Sequence, residues 1–272
     1  MATKVQIENC IKNAVAAFNT AFPYGKEITD SVEFEIVCSG KYEERLREVE
    51  RRLCAEEKEY DKHTVAEVVI GGKGIAVLVY SRRFPDGIRG EITIAHELGH
   101  ILDAITNADI SLALRILDEF HTQAPFSVGG ALWSEFIASV IANRVYSNRD
   151  YLVNAYDYSW YITDLLDHAI LSGAMDVPSL GIYFAALLSD KESLALQEDN
   201  QPPLIGMAHC SDGVIDKLLD ISDILIEQTE ETEPFWLITQ ERLIELGNRI
   251  KSLYHLLQEE GLLPTNNEKI SM

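Results

Sequence analysis

The sequence is poor in cysteine and in positive charge, and it has no long apolar run. Its four cysteines, Cys10, Cys38, Cys54 and Cys210, are widely spaced and form no C-x-x-C pair. This spacing gives no support to a cysteine zinc site and disfavours a disulfide framework. No run approaches the roughly 18 apolar residues that span a bilayer, and the N-terminus lacks the apolar stretch of a signal peptide. We therefore expect a soluble, cytoplasmic protein.

Acidic residues outnumber basic residues by 44 to 23, which gives a formal net charge of −21. Such a chain repels the phosphate backbone of nucleic acids and the anionic surface of a membrane. We therefore expect neither nucleic acid nor membrane among its partners. The hydrophobic fraction of 47% is that of an ordinary globular protein, so the chain can bury a substantial core.

The segment T-I-A-H-E-L-G-H, from Thr93 to His100, contains an H-E-x-x-H motif. Two histidines four residues apart on a helix share one face, so both imidazoles can bind one metal ion. Glu97 projects beside that face, where it can reach a water molecule on the metal without being a ligand. Zinc lowers the pKa of such a water towards about 7, and a carboxylate can then take its proton. The motif therefore predicts zinc ligands at His96 and His100 and a catalytic base at Glu97.

The residues around the motif predict an amphipathic helix. Leu98, Ile101, Leu102 and Ile105 have the i, i+3, i+4, i+7 spacing of a buried stripe, nearly opposite the two histidines. One face would pack in the core and the other would present ligands. Asp103 shares the histidine face, where it would either orient the second histidine or lie at the surface as an ordinary acid. The competing interpretation is a partly buried helix that binds no metal.

A catalytic zinc site takes three protein ligands, so a third residue must come from elsewhere in the chain. Glu135 is the first candidate, because it lies on a predicted helix with small residues on the same face. These residues are Ala138, Ser139 and Ala142. They would let this helix approach the motif helix closely. Glu119, or its neighbour Asp118, is the rival, about five helical turns after the motif, and His121 is the third choice.

The remaining patterns predict more helices and one small sheet. Apolar and acidic residues alternate over 31–38, which predicts a strand, and glycines between 65–70 and 75–80 predict a β-hairpin. Strand 75–80 would either pair with an extended peptide, as sheet edges do, or be a core strand. Helices are predicted at 5–22, 41–60, 110–120, 131–146, 150–171, 179–188, 214–226 and 234–257, with loops at 121–130 and 190–206 and an acidic connector at 227–233.

The expected fold is α+β and mostly helical, with one small mixed β-sheet beside the motif helix. We divide the chain into an N-terminal helix–strand–helix portion (1–62), a metal-site core (63–148) and a helical C-terminal portion (149–272). The C-terminal portion is expected to pack with the core as one unit.

The segment R-G-E-I-T-I-A-H-E-L-G-H, from Arg89 to His100, resembles the metal-site segment of the ImmA/IrrE-type metallopeptidases. In that family a later helix supplies a glutamate followed by small residues, and Glu135 fits that place. The resemblance covers roughly residues 65–146. It implies a zincin-like fold of the gluzincin kind and zinc-dependent proteolysis inside the cell, often of a repressor.

These patterns together predict a zinc metallopeptidase that acts on a protein or peptide substrate. His96, His100 and Glu135 would bind zinc, and Glu97 would act as general base. The alternative is a non-enzymatic interaction module on a zincin-like scaffold, with the C-terminal helices as its binding surface. The substrate, the oligomeric state and the donor that stabilises the oxyanion stay open. The candidate donors are His121, Tyr156, Tyr161, His168 and His209.

Overall fold

Helices make up most of the structure, with one small mixed sheet of three strands. The computed structural model describes residues 2–38, 40–57, 64–111, 113, 124–146, 175–194 and 211–263, with the backbone alone at 189–194 and 231. The elements are α1 (Lys4–Ala21), α2 (Gly25–Thr29), β1 (Val32–Val37), α3 (Tyr42–Leu53), β2 (Ala66–Gly71), β3 (Gly74–Tyr80), α4 (Gly87–Thr106), α5 (Pro125–Tyr146), α6 (Val177–Leu194), α7 (Asp212–Glu231) and α8 (Gln240–Glu259). The predicted α+β class is confirmed at this level.

The chain divides into two compact units. The first comprises Met1–Leu102 and Ile141–Asn148, and the second comprises Asp103–Val140 and Arg149–Met272. Helices α4 and α5 therefore each contribute residues to both units.

The three strands of the sheet are in the order β1-β3-β2. Strand β3 pairs in parallel with β1, from Val32 opposite Ile75 to Val37 opposite Tyr80, and antiparallel with β2. The predicted hairpin is confirmed. Of the two roles considered for strand 75–80, the core strand is confirmed and peptide pairing is wrong, because β3 is the central strand and has a neighbour on each side.

Helix α3 packs on the sheet through a core cluster. Its members are Val37, Tyr42, Leu46, Val49, Leu53, Val69, Ala76, Leu78 and Tyr80. The helix ends at Leu53, before the predicted end at residue 60, because Cys54 adopts a left-handed conformation with φ of 54°. Gly71 allows the end of α3 to approach β2 closely, since a Cβ at position 71 would collide with the carbonyl of Leu53.

Helix α1 holds the beginning of the motif helix α4. The side-chain amide of Asn13 donates to the Glu91 carboxylate at 2.8 Å, and Cys10 Sγ donates to the carbonyl of Gly87 at 3.5 Å. Gly90 allows the close approach, because an added Cβ there would lie 3.1 Å from Cys10 Sγ. The N-terminal helix thus fixes the part of α4 that precedes the motif.

The predicted buried stripe of α4 is confirmed for three of its four residues. Leu98 and Ile101 are fully buried and Leu102 is 2% exposed, whereas Ile105 is 44% exposed. The buried stripe therefore ends at Leu102, one turn before the end of α4 at Thr106.

Helix α5 begins at Pro125, six residues before the predicted start at Ala131. Proline fits the first turn of a helix, where its missing N–H is not needed. The predicted loop 121–130 included Gly129 and Gly130, but both lie inside the helix, and Gly129 permits close packing on α8. A Cβ on Gly129 would collide with the carbonyl of Leu243, and one on Gly247 would collide with the carbonyl of Pro125.

Helices α7 and α8 form the C-terminal part of the described chain. Helix α7 continues to Glu231, so the first five of the seven residues of the predicted acidic connector are helical. Gln228 is buried there, and its side-chain amide donates to the carbonyl of Leu237 at 2.8 Å. Helix α8 begins at Gln240, after the N-cap Thr239, rather than at Pro234. Pro234 lies in the connector, which spans residues 232–239.

Helix α6 runs beyond the predicted range 179–188 at both ends. Other predicted elements lie wholly or mainly outside the described residues. These are the helices at 110–120 and 150–171 and the loop at 190–206.

One helix in the described ranges, α5, is long and apolar enough to cross a membrane, with a mean hydropathy of 1.3. However, 78% of its most apolar window is buried inside the protein. The core helix of a soluble protein has the same properties, so α5 is weak evidence for a membrane span.

Candidate metal centre

Helix α4 presents the two motif histidines side by side. Their Nε2 atoms lie 3.0 Å apart, and their ring planes are perpendicular, at 90°. Both side chains are half-buried, whereas the neighbouring Ala95 and Leu98 are fully buried. The packing of these neighbours therefore fixes the face of α4 on which His96 and His100 lie.

Glu135 of α5 joins the two histidines. One ligand atom from each of His96, His100 and Glu135 lies within 4.8 Å of the other two. In the part of the chain that the structure describes, this is the one group of three or more such side chains that could hold a metal ion. The three predicted ligands are thus brought together, while the rivals Glu119, Asp118 and His121 lie outside the described residues.

The spacing of these atoms fits a metal ion. Tetrahedral zinc with bonds of about 2.0–2.1 Å separates two ligand atoms by about 3.3 Å, close to the 3.0 Å between the two Nε2 atoms. A hydrogen bond from one imidazole to the other would fit the same distance. With the nearby Glu135 carboxylate, the two imidazoles make up the three protein ligands of a catalytic zinc site. The donor set therefore could hold a metal ion.

Glu97, the predicted base, is buried in α4 with 8% of its surface exposed. It adjoins His96 in the chain and is more enclosed than either histidine. A carboxylate withdrawn from bulk solvent beside the ligand face is suited to exchanging a proton with a single nearby water.

Two contacts between α4 and α5 lie on either side of the candidate ligands. Ala95 and Ala142 belong to one buried cluster, and Asp103 accepts a hydrogen bond from Trp133. Between the two contacts, α4 runs from residue 95 to residue 103 and α5 runs from residue 133 to residue 142. At 1.5 Å per residue, these stretches are about 12 Å and about 14 Å long. Both stretches are of similar length, and they contain the two histidines and Glu135. Of the small residues that the sequence indicated, Ala142 lies in one cluster with Ala95 of the motif helix.

Asp103 has a different role from either that the sequence indicated. Its carboxylate is buried, and Oδ1 accepts hydrogen bonds from Asn107 Nδ2 at 2.8 Å and Trp133 Nε1 at 3.0 Å. Among the described residues it bonds to these groups and not to His100. Burial raises its pKa to about 6, although both hydrogen bonds favour the charged form. Asn107 is one turn away and could have been found by helical spacing, whereas Trp133 could not.

Helix α6 packs against the face of α5 that contains Glu135. A Cβ on Gly181 would lie 2.6 Å from the carbonyl oxygen of Leu132 and 2.9 Å from both the Cβ of Glu135 and the amide nitrogen of Phe136. Only a residue without a side chain permits this approach. The backbone that supports Glu135 is therefore in direct contact with α6.

Comparison with known proteins adds no relative: no family model matches the chain, and no curated protein or solved structure matches it significantly. The resemblance at the motif segment therefore stays a resemblance. The predicted oxyanion donors also stay predictions, because all of them lie outside the described residues. They are His121, Tyr156, Tyr161, His168 and His209.

Proposed function

We propose that this protein is a zinc-dependent metallopeptidase that hydrolyses peptide bonds of an intracellular protein. The observation that supports this function is the convergence of His96, His100 and Glu135, with Glu97 inside the same motif. Two imidazoles and one carboxylate are the ligand set of many catalytic zinc sites, and they leave a fourth position open. The motif segment also resembles that of a peptidase family with a zincin-like fold, which we propose for this chain.

Four side chains have a role in the proposed reaction. His96, His100 and Glu135 would hold zinc through the two imidazoles and one carboxylate oxygen. When bound, zinc would polarise the substrate carbonyl and lower the pKa of a bound water. The Glu97 carboxylate would take the proton from the attacking water and pass it to the leaving nitrogen as the C–N bond breaks.

We place the protein in the cytoplasm, with a protein or peptide as substrate. The net charge of −21 supports a partner that is neither nucleic acid nor an anionic membrane.

The function is tested by comparing the wild type with Glu97→Gln and Glu91→Gln. Glu91 is a matched control, because it is also a buried glutamate of α4 but bonds to Asn13. We expect zinc in all three proteins and cleavage of a broad peptide library by the wild type and Glu91→Gln. Loss of the general base is expected to slow cleavage by Glu97→Gln about 100- to 10,000-fold.

The other outcomes of this comparison are equally informative. Zinc in the wild type without cleavage of any library peptide would favour a non-enzymatic interaction module. A wild-type protein without zinc, or full cleavage by Glu97→Gln, would overturn the proposed mechanism.

A further inference from the structure

A buried hydrogen-bond network lies one turn beyond His100. Asp103 Oδ1 accepts from Trp133 Nε1 at 3.0 Å and from Asn107 Nδ2 at 2.8 Å. Asp103 is 9% exposed, Trp133 is 2% exposed and Asn107 is 7% exposed, so water competes little for these bonds. The network connects α4 to α5, the two helices that contain the candidate ligands.

The same network reaches the connector between α7 and α8. Asn107 Nδ2 also donates to the carbonyl of Trp236 at 2.9 Å, and Asn107 Oδ1 accepts from the amide of Ile238 at 3.3 Å. A single amide side chain therefore joins the connector to Asp103. This arrangement fixes the direction in which the Asp103 carboxylate points.

The network is close to the ligands along both helices. Asp103 follows His100 by three residues, and Trp133 precedes Glu135 by two, which correspond to about 4.5 and 3 Å along the helix axes. A metal site requires ligand distances within about 0.2 Å of their ideal values. A small displacement of α4 relative to α5 would therefore move Glu135 out of reach of a shared ion.

Stability alone is a weak reason for a carboxylate at this position. None of the described hydrogen-bond partners of Asp103 is charged, and burying a carboxylate without a cation is unfavourable. A well-packed apolar pair is often at least as stabilising as buried charged groups. What the carboxylate supplies is a directed acceptor that sets the position of the Trp133 ring.

We propose that Asp103 is a positioning residue of the metal site. Through Trp133 it holds α5 in the place where Glu135 meets the two histidines. This inference rests on the proposed metal site. The connector between α7 and α8 would orient Asp103 through Asn107.

The test measures zinc affinity by competition with a chromophoric chelator, together with the visible spectrum of the Co²⁺-loaded protein. Trp133→Phe removes the donor but keeps an aromatic ring in the core, and Asp103→Leu removes the acceptor. Asp103→Asn keeps an Oδ1 acceptor and is the conservative variant. Tyr42→Phe is the matched control, because it removes a buried hydrogen bond to the carbonyl of Leu78 and keeps the aromatic ring, but it lies in the core cluster of the sheet and outside this network.

We expect zinc affinity to fall about 10- to 100-fold in both Trp133→Phe and Asp103→Leu. This is the usual loss when a residue that orients metal ligands is replaced. The visible absorption that tetrahedral Co²⁺ produces should weaken in the same two variants. Asp103→Asn should bind zinc within about threefold of the wild type, and Tyr42→Phe should lower the melting temperature without changing zinc affinity.

Three results would overturn the inference or its basis. Unchanged zinc affinity in folded Trp133→Phe would show that the bond is merely structural, and this variant decides the question if Asp103→Leu does not fold. An equal loss of zinc affinity in Tyr42→Phe would attribute the effect to general destabilisation. A wild type that binds no zinc would overturn the proposed metal site itself, which is a different outcome from normal binding in the variants.

Discussion

Gly181 of α6 lies directly against Glu135 of α5: a Cβ on Gly181 would be only 2.9 Å from the Cβ of Glu135. Real Cβ atoms almost never approach that closely. The candidate third ligand is therefore supported by a helix that begins more than forty residues further along the chain. Any side chain at position 181 must push α6 and α5 apart or displace Glu135.

The first prediction concerns Gly181→Ala. The added methyl group would overpack the contact, so we expect the free energy of unfolding to fall by about 1–3 kcal/mol. Zinc affinity should fall as well, because Glu135 would shift relative to the histidines. Urea denaturation and a zinc titration measure the two effects.

Gly213→Ala is the matched control for this substitution. Its Cβ would meet only ordinary contacts, with the nearest atoms 3.6 Å away, near the beginning of α7. We expect a neutral or slightly stabilising effect, up to about 1 kcal/mol, because alanine favours the helix. If Gly181→Ala matched this control in both measurements, the contact with Glu135 would not constrain the site.

The second prediction concerns the crossing of α5 and α8. Gly129→Ala places a methyl group on the carbonyl of Leu243, which belongs to the backbone and cannot rotate away. We expect a loss of at least about 2 kcal/mol in the free energy of unfolding. Gly72→Ala, where an added Cβ meets nothing within 4 Å, should change stability by no more than about 0.5 kcal/mol. A smaller effect at Gly129 than at Gly72 would contradict the observed helix crossing.

The third prediction is a pH dependence that arises from Asp103. Burial raises its pKa from the ordinary 3.8 to about 6 in the folded protein. The folded state therefore binds a proton more readily than the unfolded state, and stability falls as the pH rises from about 4 to 6. The pKa difference corresponds to on the order of 3 kcal/mol.

Urea denaturation of metal-free wild type and Asp103→Asn across this range measures the effect. The variant lacks the titrating group, so the difference in the free energy of unfolding, wild type minus variant, should decrease up to pH 6 and then stay level. A difference that is independent of pH, or that increases with pH, would mean that the pKa of Asp103 is not raised.

Local patterns in the sequence were sufficient to predict much of the candidate site. The four-residue spacing of His96 and His100 places both on one face of α4, and the small residues after Glu135 indicated a close helix approach. The strand alternation and the glycine hairpin also predicted the three-stranded sheet. These features depend on periodicity within about ten to twenty residues, which is the range that patterning captures well.

The features that the sequence did not predict depend on distant partners. Gly129 resembles a turn signal in isolation, and its role becomes clear only when Leu243 of α8 packs on it. Asp103 resembles a surface acid, and its burial depends on the indole of Trp133, thirty residues away. In both cases tertiary packing, which local propensity does not contain, decides the outcome.

The most direct test of the metal centre is a zinc titration of the wild type, Glu135→Ala and Glu8→Ala. Glu8 is an exposed helical glutamate of α1 and serves as the control. We expect the wild type and Glu8→Ala to bind a single zinc ion with equal affinity, and Glu135→Ala to bind it at least about 100-fold more weakly. A wild type that binds no zinc, or a Glu135→Ala variant that binds it as tightly as the wild type, would contradict the proposed site.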